Sequence, residues 1–78
     1  MINFKNKTLL VTGGTGSFGN AVVQKFLNYD LKEIRIFSRD EKKQDDMRKY
    51  YKNEKLKFYL GDVRDRDSID LAMKKVDY

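Results

Sequence analysis

The chain has 78 residues, no cysteine and no histidine, and a net charge of +5 from 17 basic and 12 acidic residues. This composition excludes disulfide bonds and the usual zinc sites, and we predict no metal site. No apolar run approaches the ~20 residues that a membrane span needs, so we expect a cytoplasmic protein without one. Charged residues of both signs are mixed along the chain, as in residues 40–46. Such mixing is typical of a solvated helix face and argues against a nucleic-acid partner.

The first predicted strand leads into a glycine-rich turn. Residues 8–12 are apolar and β-prone, and a run of this kind suits a parallel strand covered on both faces. Gly13, Gly16 and Gly19 then recur every third residue. Glycines at a strand-to-helix turn let backbone N–H groups approach a pyrophosphate, and the positive end of the following helix favours its charge. The turn therefore predicts a nucleotide-binding site, with a tight turn that binds nothing as the alternative.

A helix is predicted after the glycine turn, over about residues 17–28, because apolar residues recur there at spacings of three and four. The expected buried stripe contains Phe18, Ala21, Val22 and Phe26, widened by Val23 and Leu27. The β-prone residues 33–37 predict a second strand.

A second helix is predicted from Ser38 to about residue 51. Ser38 with Glu41 three residues later has the form of a capping box, which begins helices. The segment is almost wholly polar, so we expect the helix on the outside. Its predicted anchors are Met47 and one of Tyr50 and Tyr51.

The remaining residues predict a third strand, a third helix and the start of a fourth strand. The strand covers residues 56–60, the helix opens at residues 67–70 with Asp67 as N-cap, and the fourth strand begins at residues 76–78. The expected buried stripe of the helix is Ile69, Ala72, Met73 and Val76. This β-α-β-α-β-α order predicts a parallel sheet with right-handed crossovers. Its apolar edge would be open, which favours the first half of a doubly wound domain.

The charge after the second strand bears on the choice of cofactor. An acidic residue about 20 positions past the glycines suits a free ribose 2′-OH, and an arginine suits a 2′-phosphate. Arg39 lies twenty residues after Gly19, with Lys42 and Lys43 one turn further on. This pattern favours NADP. Asp40 leaves NAD as the less favoured alternative, and Arg39 could also simply begin a solvated helix.

The third strand ends at a second candidate contact. The Asp62 carboxylate could accept a hydrogen bond from an adenine amino group, and the next backbone amide, that of Val63, could donate to the ring. A carboxylate that caps its own loop explains Asp62 equally well.

Three blocks of the sequence resemble one family. They are residues 12–19, 37–44 and 58–65. They are similar to the opening of extended short-chain dehydrogenases/reductases that modify nucleotide sugars. The resemblance is greatest to the polysaccharide-biosynthesis group, the inverting UDP-N-acetylglucosamine 4,6-dehydratases, some of whose relatives are UDP-glucose 4-epimerases. The resemblance implies an α/β fold in which residues 1–78 form the first β-α-β-α-β-α portion of a doubly wound, Rossmann-type NAD(P)-binding domain.

The resemblance also implies which residues hold the cofactor. The glycine turn would hold the pyrophosphate, the residues after the second strand the ribose and 2′-phosphate, and those after the third strand the adenine. The predicted cofactor-binding residues are Gly13, Thr15, Gly16, Ser17, Phe18, Gly19, Ser38, Arg39, Asp40, Glu41, Lys42, Lys43, Asp62 and Val63.

The implied chemistry is oxidation of a UDP-sugar at C4 by NADP. In a dehydratase, water is then lost across C5 and C6 and the hydride returns at C6. In an epimerase, the hydride instead returns to C4 from the other face. In the family, the catalytic and sugar-binding residues come after residue 78. We therefore expect residues 1–78 to bind the cofactor without catalysing a reaction. The longer protein is expected to be a homo-oligomer. A non-sugar reductase of the same superfamily, and a non-catalytic NADP-binding sensor or scaffold, are the alternatives.

Tyr51 and Lys55 have the Tyr-x-x-x-Lys spacing of short-chain dehydrogenase catalysis. They fall at the end of the polar second helix, before the third strand. We therefore interpret them as an ordinary pair on a helix surface and not as catalytic residues.

Overall fold

The computed structural model describes residues 4–78. Strands and helices alternate in the order β1 (Thr8–Thr12), α1 (Ser17–Phe26), β2 (Glu33–Ser38), α2 (Glu41–Tyr51), β3 (Leu56–Leu60) and α3 (Arg66–Met73). The three strands form one parallel sheet in the order β1-β2-β3. The predicted α/β, Rossmann-type architecture is thereby confirmed. Of the helices that these residues form, none combines the length and apolar character that crossing a membrane requires.

The carboxyl ends of the strands meet at one edge of the sheet. Thr12 pairs with Phe37, and Phe37 pairs with Tyr59. Because the strands are parallel and in register, the segments that follow them lie side by side. This arrangement brings the three predicted binding segments together.

The last two residues lie along the free edge of β1. The backbone N–H of Tyr78 donates to the Thr8 carbonyl at 3.2 Å, and that of Leu10 donates to the Tyr78 carbonyl at 3.0 Å. These are the bonds of a parallel neighbour. Residues 76–78 do not form a strand, so the fourth strand stays a prediction, but these bonds bring residue 78 beside β1, where the fourth strand of a doubly wound fold would lie.

The main core lies between the sheet and the helices α1 and α2. Its buried members are Val11, Val23, Leu31, Ile34, Ile36, Met47 and Leu56. β-branched and leucine side chains from all three strands contribute. Each such side chain contributes about 1.5–3 kcal/mol when it is fully buried.

The predicted buried stripe of α1 is wrong at its first positions. Phe18 is 82% exposed and Ala21 is exposed, whereas Gly19 and Val23 are buried. The cause is a close tertiary contact, since a Cβ on Gly19 would lie 2.4 Å from the backbone of Gly14. This approach turns the Gly19–Val23 face of the helix toward the sheet. The helix also ends at Phe26, two residues before the predicted end.

The predicted N-caps of the other two helices are also wrong. Ser38 is the last residue of β2, and the cap of α2 is Asp40, which accepts a hydrogen bond from the Lys43 N–H at 3.0 Å. The cap of α3 is Asp65 instead of Asp67. In both cases an aspartate directly before the helix has the extended backbone that an N-cap requires.

The helix anchors were predicted only in part. Met47 is buried as expected, and Tyr51 is the half-buried member of the tyrosine pair, while Tyr50 is 75% exposed. In α3, Ala72 is buried and Ile69 is half-buried, but Met73 is 52% exposed. The eight residues of α3 form only about two turns, which limits how much of its stripe can reach the sheet.

Candidate functional site

A groove of about 900 Å³ lies at the carboxyl ends of the three strands. This volume falls in the range of roughly 300–1,000 Å³ that is usual for small-molecule sites, and ligands of open α/β sheets bind at this position. Each strand contributes the segment that follows it. The lining residues are Gly13, Thr15, Ser38, Arg39, Asp40, Glu41, Gly61, Asp62, Val63 and Arg64.

The three glycines that recur every third residue, Gly13, Gly16 and Gly19, have different structural roles. Gly13 has a φ of +64°, a backbone conformation that residues with a side chain rarely adopt. Its backbone N–H donates a hydrogen bond to the Phe37 carbonyl at 2.8 Å. Gly19 leaves room for the backbone of Gly14. A Cβ on Gly16 would meet only the Gly13 carbonyl, at 3.7 Å, which is an ordinary contact. The fold therefore does not need a glycine at position 16, and the space beside it is open to a ligand.

The N-terminus of α1 suits an anion. Its N-cap is Gly16, which offers no side-chain cap, and its first turn contains no acidic residue. The helices α2 and α3, in contrast, are capped by Asp40 and Asp65. Uncapped N–H groups at the positive end of a helix bind phosphate groups well. The residues present thus fit the pyrophosphate of a dinucleotide.

Asn20 holds the glycine turn in place and was not recognised as a site residue from the sequence. Its side-chain amide donates to the carbonyls of Gly16 and Thr15 at 3.0 and 3.3 Å. An asparagine one turn into a helix looks like any solvent-facing residue, so the sequence carries no signal for this role.

Arg39 is the basic group best placed for a ligand phosphate. Its side chain is 70% exposed, and its Nη1 lies 3.5 Å from Oδ2 of Asp62. So long and exposed an ion pair holds the guanidinium weakly. Arg39 can therefore turn toward a phosphate, with which a guanidinium pairs in a bidentate manner.

The two lysines are not brought into this groove. Lys42 pairs with Asp46 at 3.1 Å on the exposed face of α2. Lys43 lines a second groove, between α1 and α2, together with Thr15, Gly16 and Ser17. Phe18, Gly19 and Lys42 line neither groove. Of the fourteen predicted residues, the main groove therefore gathers Gly13, Thr15, Ser38, Arg39, Asp40, Glu41, Asp62 and Val63.

Asp62 is held by its own loop. Its Oδ1 accepts from the backbone N–H of Arg64 at 2.9 Å, and its Oδ2 accepts from Arg64 Nη2 at 2.7 Å. The side-chain and backbone hydrogen bonds from Arg64 keep the pKa of the Asp62 carboxyl well below its ordinary range. The loop-capping role is thus present, and the adenine contact remains a prediction.

Two residues beside Asp62 complete the groove and were not among the predicted site residues. Arg64 supplies the charge that orients the Asp62 carboxylate. A Cβ on Gly61 would lie 2.8 Å from Ser68 Cβ and 2.9 Å from Phe37 Cζ. A glycine directly after a strand signals such a close approach, whereas nothing in the sequence pairs Arg64 with Asp62.

Tyr51 and Lys55 contact two different elements. The Tyr51 hydroxyl donates to Asn20 Oδ1 at 3.1 Å, and Lys55 Nζ donates to the Tyr29 carbonyl at 3.2 Å. Both contacts tie α2 and the following loop to the region of α1. Neither residue lines the main groove.

Comparison with known proteins identifies the family. The family model for polysaccharide biosynthesis proteins matches residues 9–78. The chain belongs to this family. The resemblance of the three sequence blocks is thereby confirmed.

Several curated proteins are similar in sequence to this chain. It is 67% identical over 79 residues to a UDP-glucose 4-epimerase of Rickettsia bellii (strain OSU 85-389), and 66% identical to that of Rickettsia akari (strain Hartford). Each match covers 96% of this chain and 23% of the relative. The chain therefore spans about a quarter of the length of these relatives.

Solved structures support the fold. The X-ray structure of Pen from Bacillus thuringiensis matches with a TM-score of 0.92 and 32% identity, over 99% of this chain and 24% of that one. An NADPH-bound carbonyl reductase from chicken fatty liver matches with a TM-score of 0.71 and 24% identity, over 90% of this chain and 30% of that one. The second likeness shows the fold alone.

Proposed function

We propose that this chain is the NADP-binding, N-terminal part of a UDP-sugar-modifying enzyme. The observation that carries the proposal is the open N-terminus of α1, where Gly16 leaves free space and the first-turn amides have no side-chain cap. The open groove and the exposed Arg39 at the end of β2 support it. The chain matches only about a quarter of the length of the Rickettsia relatives, which supports its assignment as one part of a longer enzyme.

Each segment has a role in this proposal. The backbone N–H groups at the N-terminus of α1 bind the pyrophosphate, because they point outward from the positive end of the helix dipole. Ser38 and Arg39 bind the 2′-phosphate, and the segment at Asp62 and Val63 borders the adenine. When it is bound, the cofactor supplies reversible acceptance of hydride from the sugar. These residues only hold and orient it.

We propose 4-epimerisation of a UDP-sugar as the reaction of the longer enzyme. The support is the identity of 66–67% to proteins named UDP-glucose 4-epimerase. The second candidate is 4,6-dehydration of UDP-N-acetylglucosamine, which the three sequence blocks favour. Both reactions begin by oxidising C4, so the cofactor-binding part serves either one.

The test is to incubate the full natural chain with NADP and either UDP-glucose or UDP-N-acetylglucosamine. Proton NMR detects inversion at C4, and mass spectrometry detects loss of one water. A C4 epimer of unchanged mass supports the epimerase, and a dehydrated product supports the second candidate. Formation of neither product by a protein that binds NADP would favour the sensor or scaffold alternative.

A further inference from the structure

Gln44 is a buried polar residue in the mostly exposed helix α2. It lies one turn into α2 and is only 4% exposed, between the helix and the ends of β2 and β3. A polar side chain is buried at little cost only when it is hydrogen-bonded. Its partners therefore show what the residue does.

The contacts of Gln44 determine how its amide is oriented. The Nε2 atom lies 2.9 Å from the Tyr59 carbonyl oxygen, 3.1 Å from Ser38 Oγ and 3.4 Å from the Ser38 carbonyl oxygen. Two of these three atoms are carbonyl oxygens, which only accept hydrogen bonds. The amide nitrogen must face them, since the amide oxygen would meet two acceptors without a proton between them.

This orientation restricts the Ser38 hydroxyl. The two hydrogens of Nε2 go to its two nearest acceptors, the Tyr59 carbonyl and Ser38 Oγ. Ser38 Oγ therefore accepts from Gln44, and its own proton must point elsewhere. Within residues 4–78, no hydrogen bond uses that proton. Ser38 lines the main groove next to Arg39.

We propose that Gln44 is a positioning residue that directs the Ser38 hydroxyl proton into the groove, where it selects for a 2′-phosphate. The inference rests on the proposed function and deepens it. Phosphate oxygens only accept hydrogen bonds, so a hydroxyl fixed as a donor suits them, and the adjacent Arg39 guanidinium supplies further donors. A ribose 2′-OH lacks the negative charge that strengthens such bonds. The pair thus favours NADP over NAD.

The test measures NADP and NAD affinity of the full natural chain and its variants by calorimetry. Gln44→Met keeps the length and helix propensity of the side chain but removes the donor. We expect it to weaken NADP binding about three- to tenfold and to change NAD binding less than twofold. Ser38→Ala removes the hydroxyl itself, so we expect a loss of about tenfold for NADP alone. Gln24→Met, an exposed glutamine on α1, is the matched control and should change neither affinity.

The double variant separates positioning from mere structural support. If Gln44 acts through Ser38, then Gln44→Met adds no further loss of NADP affinity in the Ser38→Ala background. Additive losses, or equal losses for NADP and NAD, overturn the proposal. If Gln44→Met does not fold, the Ser38 variants decide, because Ser38→Thr keeps the hydroxyl and should retain the preference that Ser38→Ala loses. A Ser38→Ala variant that binds NADP like the wild type overturns the inference, whereas a wild type that binds neither nucleotide overturns the proposed function.

Discussion

The substitution Gly19→Ala is expected to destabilise the chain, although alanine normally stabilises helices. The position lies in α1, where replacing glycine by alanine ordinarily gains about 1 kcal/mol. Here the new Cβ would lie 2.4 Å from the Cα and carbonyl carbon of Gly14, about 1 Å short of ordinary contact. Both atoms are backbone, so no side-chain rotation relieves the overlap.

The size of the effect follows from these opposing contributions. Overpacking a tight contact costs about 1–3 kcal/mol, and more where backbone must move. Because the overlap is with backbone, the cost lies at the upper end of this range, about 2–3 kcal/mol. After the gain of about 1 kcal/mol in helix propensity, we expect the free energy of unfolding to fall by about 1–2 kcal/mol. For a domain of this size that lowers the melting temperature by roughly 5–15 °C.

The matched control is Gly16→Ala at the N-cap of the same helix. Its Cβ would make only an ordinary contact, at 3.7 Å, and the residue has a φ of −81° that any residue adopts. Alanine is a poorer N-cap than glycine, so its free energy of unfolding should fall by about 0.5–1 kcal/mol, less than for Gly19→Ala. Thermal denaturation followed by circular dichroism measures both variants. A Gly19→Ala variant that melts at or above the wild type, or a Gly16→Ala variant that loses as much stability, would refute the reasoning.

Three further predictions concern charged groups and the groove. Arg39→Ala should weaken NADP binding at least tenfold and NAD binding less than threefold, because only NADP carries the 2′-phosphate that Arg39 would pair with. Equal weakening of both nucleotides in calorimetry would contradict the pairing of Arg39 with the 2′-phosphate. The pKa of the Asp62 carboxyl should lie below its ordinary value of 3.8, so the ion pair with Arg64 should persist at pH 3.8 and be lost only as the pH falls through the lowered pKa. An NMR titration of the carboxyl carbon checks this, and Arg64→Gln should move the titration midpoint back toward 3.8. Arg35→Met should lower the free energy of unfolding by about 2 kcal/mol, because the mostly buried guanidinium donates to the Ala72 and Lys74 carbonyls at 2.8 and 2.6 Å. Hydrogen exchange in α3 should become faster in this variant, and an unchanged exchange rate would contradict the prediction.

The sequence predicts the strands well because their signals are local. β1 and β3 have the predicted bounds, and β2 extends one residue further, to Ser38. Each is a short apolar or β-branched run between turn residues, and parallel pairing then follows from the alternation with helices. The convergence of the three binding segments at one edge of the sheet is therefore predictable as well.

The helix starts and the buried faces are less predictable because they depend on contacts between elements. Ser38 fits a capping box by spacing, but pairing with Leu60 extends β2 through it and moves the cap to Asp40. The face of α1 is turned by the contact of Gly19 with Gly14, which no periodicity reveals.

The sequence predicts which residues line the groove better than it predicts which side chains pair with one another there. Arg39 and Asp62 are in the groove, but the pairing of Asp62 with Arg64 depends on the loop conformation. Gln44 lies in a polar helix and looks like a solvated residue in the sequence. Only its tertiary contacts distinguish it from its neighbours.

The central claim is that the groove at the carboxyl ends of β1, β2 and β3 holds NADP. Its most direct test is an NMR titration of the isotope-labelled full natural chain with NADP and, in parallel, with NAD. We predict saturable shifts concentrated at the backbone amides of Thr15, Ser38 and Asp62, which line the groove, with the change at Ser38 much smaller for NAD. Absence of shifts at saturating NADP, or shifts confined to residues outside the groove, would contradict the account.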